Sequence, residues 1–80
     1  MVGILKIMMY RIIFHLNPEC EALLNELQIN YTKQTIDNND YLIAIKYCKE
    51  LSLELNDDIL CSNLLGNELN EFLDYTERVI

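Results

Sequence analysis

The chain opens on a nearly unbroken apolar stretch. Residues 4–15 are rich in isoleucine, methionine and aromatics and alternate poorly with polar positions. Such a run fits a strand buried on both faces. Asn17-Pro18 then reads as a helix start: an Asn N-cap, Pro at the first helical position, and Glu19 and Glu21 in the first turn. Cys20, Leu23, Leu24 and Leu27 follow at i, i+3, i+4 and i+7, one apolar helical face, and the helix should fray near Gln28. Residues 29–36 favour a strand through Ile29, Tyr31, Thr32, Thr35 and Ile36. Asp37-Asn38-Asn39-Asp40 is a loop.

Two patterns compete over residues 41–55. Tyr41 to Tyr47 looks like a strand that the preceding loop turns into a hairpin. No Gly, Pro, Asn or Asp interrupts the chain from Tyr41 to Leu55, however, and Tyr41, Ala44, Ile45, Cys48, Leu51 and Leu55 make a helical face. One helix over 41–55 is the expectation, with 41–47 as a third strand the alternative. Asn56 caps a helix over 57–65 that turns Leu60, Cys61, Leu64 and Leu65 inward, and Gly66 closes it. Asn67 caps a last helix, 67–79, with Leu69, Phe72, Leu73 and Thr76 on one face.

The expected fold is a single small two-layer α+β domain over residues 1–80. An N-terminal β-α-β unit is followed by two or three C-terminal helices; the alternative order is β-α-β-β-α. Two strands joined by a helix would run parallel. Alone they leave both edges open, so a further strand in 1–9 or 41–47, or another chain, must cover them.

Thirteen acids against six bases give a net charge of −7, which argues against a nucleic-acid binder. The distribution is lopsided. Residues 1–49 balance Glu19, Glu21, Glu26, Asp37 and Asp40 against Lys6, Arg11, Lys33, Lys46 and Lys49. Residues 50–80 set Glu50, Glu54, Asp57, Asp58, Glu68, Glu71, Asp74 and Glu77 against Arg78 alone. A charge of this size also keeps a small domain dispersed in solution. No run is long and apolar enough for a membrane span. Asn17-Pro18-Glu19 replaces the small-residue cleavage site of a secretory signal, so a cytoplasmic address is expected. Three widely spaced cysteines, an odd number, are not a disulfide framework.

Candidate chemistry is sparse. Cys20 falls just after a strand, in the first turn of a helix, where a thiol pKa can drop. The stretch through Tyr31 resembles the opening strand–helix–strand of the glutaredoxins, over about a third of the chain. That resemblance implies a thioredoxin-like thiol protein using Cys20. Leu23 stands where the second thiol of the family's CxxC belongs, and Pro18, the sole proline, leaves no cis-proline loop. The glycine pair near the glutathione site is missing too. Cys20 shares the face of Leu23, Leu24 and Leu27, which suits a core thiol. His15, Cys20, Cys48 and Cys61 lack the close pairing of a zinc site. No catalytic residues and no cofactor are expected. Two glycines cannot build a phosphate loop, and an eighty-residue chain without Trp is a poor host for a sugar cleft.

The acidic rear remains. The expected function is a protein-binding module that inhibits or neutralises a basic, nucleic-acid-handling partner, like an immunity protein, antitoxin or phage-borne inhibitor. Its partner-binding residues would be Glu50, Glu54, Asp57, Asp58, Glu68, Glu71, Asp74, Tyr75 and Glu77, the carboxylates supplying sign and the tyrosine amphipathic area. The alternative is a homo-oligomeric structural subunit, a homodimer through an open strand edge.

Overall fold

The computed structural model describes residues 7–49 and 56–79. Strand β1 (Ile7–His15) leads into helix α1 (Pro18–Glu26), followed by β2 (Tyr31–Ile36) and β3 (Asn39–Lys49). Helix α2 (Asp57–Leu65), a 3₁₀ helix (Asn67–Phe72) and β4 (Leu73–Arg78) complete the domain. The strands form one sheet in the order β2-β3-β1-β4, every neighbouring pair antiparallel.

Local chemistry fixes α1. The Asn17 side-chain oxygen accepts from the backbone N–H of Glu19 at 2.8 Å and of Cys20 at 3.2 Å, satisfying two of the donors that a helix start leaves free. At the other end Gln28 enters the left-handed region at φ 59°. Its N–H donates to the Asn25 carbonyl and that of Ile29 to the Leu24 carbonyl, a Schellman closure built without glycine. The β2–β3 connection is equally local. Asp37 and Asn38 both take positive φ, 51° and 66°, as a two-residue type I′ hairpin turn requires. Helix α2 starts as expected, with Asn56 accepting from the Ile59 N–H at 2.9 Å, and ends at Gly66, whose φ of 99° suits only glycine.

Long-range pairing overturns two expected helices. Residues 41–49 belong to β3, inserted between β2 and β1; residues 50–55 of the expected helix lie outside the described segments. As a strand β3 bonds to β1 on one side and to β2 on the other, whereas a helix there would leave both edges open. The expected helix 67–79 is instead one 3₁₀ stretch and then β4, which covers the second edge of β1. Asn67 makes no cap; Gly66 precedes the 3₁₀ helix with no side-chain cap bond. β1 and β2 do run in the same direction, but β3 separates them, so they are not the adjacent pair anticipated. The β-α-β-β-α-β connectivity with this strand order is the ferredoxin-like arrangement, two interlocked split β-α-β units.

Both helices pack on one face of the sheet. Met8, Tyr10, Ile12 and Phe14 of β1 and Leu42 and Ala44 of β3 meet Cys20 and Leu24 of α1, Leu60 and Cys61 of α2, and Leu69 of the 3₁₀ helix. β1 therefore alternates more than its sequence suggests: Ile7 and His15 are exposed, and only its centre, with Ile13, is buried on both faces.

Candidate functional site

Two surfaces of different character flank the sheet. The first is the outer side of α2 and the 3₁₀ helix. Asp57 and Asp58 occupy the first turn of α2, where the helix dipole favours carboxylates. Asp57 also accepts a 2.7 Å hydrogen bond from the Thr76 hydroxyl, tying α2 to β4. Glu68 and Glu71 are exposed on the 3₁₀ helix, and at three residues per turn they lie one above the other. The Asn70 side-chain amide donates to the Ser62 hydroxyl at 2.6 Å and holds the two helices together. Residues 56–72 contain no Lys, Arg or His. Among the described residues none of these four carboxylates has an ion-pair partner.

The second surface is the sheet face turned away from the helices. By register it carries Ile7, Met9, Arg11, Ile13 and His15 of β1 and Tyr41, Ile43, Ile45 and Tyr47 of β3. Thr32, Gln34 and Ile36 of β2, and Tyr75 and Glu77 of β4, lie on it too. Among the described side chains it carries one ion pair and one histidine–carboxylate contact. Arg11 Nε meets Glu77 Oε1 at 3.0 Å, and His15 Nε2 lies 3.5 Å from Asp74 Oδ1. Asp74 sits where the β1–β4 register slips, and the His15 ring tilts against Tyr41 with centroids 5.6 Å apart. A groove of about 320 Å³ runs along Asn30, Tyr31, Thr32, Ile43, Ile45 and Tyr47.

The expected partner-binding set is thus divided. Asp57, Asp58, Glu68 and Glu71 share the helical layer, whereas Asp74, Tyr75 and Glu77 belong to β4. Glu68 and Glu71 are separated from Asp74 and Glu77 after Phe72, where the chain turns from 3₁₀ helix to strand. Glu50 and Glu54 lie outside the described residues. Sequence reasoning missed the exposed side chains of Ile7 and Ile45; a strand over 41–47 sets Ile45 on the face opposite Leu42 and Ala44.

The thiols are not activated. All three are free cysteines, and Cys20 and Cys61 are fully buried. Burial, reinforced by Cys61 and Glu21, pushes the Cys20 thiol up to about 11; burial and Asp58 do the same for Cys61. The start of α1 does not lower the Cys20 pKa, because desolvation outweighs the dipole. A separate cluster clamps α1 to β2. The Tyr31 hydroxyl donates to Glu21 at 2.6 Å, Lys33 Nζ lies 2.9 Å from the same oxygen, and both hold the Glu21 carboxyl below its ordinary range.

Among the described residues no group of His, Cys, Asp and Glu is gathered for a metal ion, and no helix is long and apolar enough to cross a membrane. Compared with known proteins, the chain matches no protein-family model, no curated protein and no solved structure. The fold alone carries no activity, since one topology hosts many.

Proposed function

We propose that this protein is an acidic protein-binding module whose α2–3₁₀ layer engages a basic, nucleic-acid-handling partner and neutralises it. One observation carries the reading. Asp57, Asp58, Glu68 and Glu71 stand on one layer, and residues 56–72 hold no cation to offset them. A field of one sign steers an oppositely charged partner and rejects those of like charge. Asp74 and Glu77 contribute less, because His15 and Arg11 already face them.

The test compares the chain with a variant carrying Glu68→Lys, Glu71→Lys and Asp58→Asn. Both are immobilised and offered a host extract at low and at high salt, after circular dichroism has shown equal folding. The expected outcome is a basic protein retained by the native chain, released by salt and ignored by the variant. Capture indifferent to both salt and charge reversal would end the proposal.

A further inference from the structure

The sheet face opposite the helices holds several exposed apolar side chains. Ile7 is 60 % exposed, Ile45 51 %, Tyr47 62 % and Tyr75 38 %. Ile36 and Val79, also exposed, fall on the same side by register. Most of the exposed large apolar side chains among the described residues therefore gather on one face. Beneath them Ile13 and Ile43, a cross-strand pair, form a floor only 1 % and 2 % exposed. A concentration of exposed apolar side chains on one face marks an interaction site on a small protein.

Charge selects the occupant. A basic partner finds the Glu77 carboxylate already held by Arg11, and Asp74 set at the margin where the β1–β4 register slips. A second copy of a −7 chain would ordinarily be repelled. Here Arg11 offsets Glu77 on the face itself, and Asp57, Asp58, Glu68 and Glu71 belong to the layer on the other side of the sheet. Two copies meeting through their open faces would keep those acids on the two outermost surfaces, as far apart as the fold allows.

The area also fits. Four strands spaced at roughly 4.8 Å make a face roughly 19 Å wide, and strands of this length extend it to about 25 Å. That is about 500 Å² in projection, and side-chain relief raises it toward the lower end of the roughly 600–1,000 Å² per partner of a stable interface. We infer that the open sheet face is a self-association surface, pairing with the same face of a second copy about a two-fold axis. Tyr47 and Ile45 supply its anchors. The Arg11–Glu77 pair lies within it and stays satisfied inside each chain.

Sedimentation velocity on the full chain across a wide dilution series tests this, with salt as a second axis. The expected species is a dimer that persists or tightens as salt rises, because salt screens the −7 charges without weakening apolar contact. Ile45→Thr with Tyr47→Thr keeps β-compatible residues at exposed positions and should weaken dimerisation at least about tenfold with unchanged circular dichroism. Ile59→Thr, at an exposed position on α2, should leave it unaltered. A monomer at every concentration overturns the inference. So does a dimer indifferent to the double variant, a dimer that salt dissolves, or a complex whose mass requires a different chain. The acidic-layer proposal has the opposite salt dependence and a different variant, so either can fail without the other.

Discussion

The two sides of β1 differ in what covers them: one is wholly apolar and lies under the helices, and the other mixes Ile7, Met9 and Ile13 with Arg11 and His15. Met8, Tyr10, Ile12 and Phe14 lie under the helices and are buried. Ile7, Met9, Arg11, Ile13 and His15 face the other way, and no helix among the described residues lies over them. A continuous hydrophobic run thus says that both sides avoid water, and not whether the same chain covers both. The surplus on the open side is what a second molecule can use.

Truncation should break the symmetry of the two faces most sharply. Phe14→Ala leaves a cavity under the helices and is expected to cost about 3–5 kcal/mol in urea denaturation. Tyr47→Thr on the open face should cost under about 0.5 kcal/mol in dilute, monomeric protein. Equal losses would mean that the open face is already core.

Thiol chemistry probes the same boundary. Cys20 and Cys61 lie in the covered core, and Cys48 only partly buried at its margin. A thiol reagent at neutral pH should label Cys48 in the native state and reach the other two only on unfolding. Both buried thiols are raised from 9.0 to about 11, so the unfolded chain loses its thiol protons first and stability should fall as pH climbs through that interval. Fast native labelling of Cys20 would show that α1 is no firm lid.

The ends of α1 give smaller effects. Asn17→Ala removes the acceptor for two backbone donors and should cost about 1 kcal/mol. Gln28→Gly relieves a left-handed residue in the Schellman closure and should gain about 0.5 kcal/mol. Both are read from thermal or urea midpoints.

The smallest expected effect comes from Glu21. Its carboxyl is lowered by the Tyr31 hydroxyl first and Lys33 second, so its contribution is present above the ordinary value of 4.5 and fades as pH falls below it. The stability gap between the native chain and Glu21→Gln should hold above that value and close beneath it. A gap that widens in acid would reverse the assignment.

What the sequence determined was whatever neighbouring residues decide among themselves. Asn17-Pro18 and Asn56 set helix starts, Gly66 and the 28–29 closure set helix ends, and Asp37-Asn38 makes the hairpin, because each acts on backbone groups within a few residues. The concentration of acid after Lys49 was equally plain. The tertiary structure alone decided the fates of 41–49 and 73–78. Tyr41, Ala44, Ile45 and Cys48 make one helical face, yet as a strand they divide, Tyr41 and Ile45 to the open side and Ala44 and Cys48 to the core side, and apolar residues suit both arrangements; Leu73 and Thr76 share a side of β4 only because the register slips between them. The open edges of β1 settled the choice: unpaired backbone along a central strand costs more than either segment's preference for helix. With β4 drawn into the sheet, the acidic residues parted company, four to the helical layer and two to β4, where Arg11 pairs with Glu77.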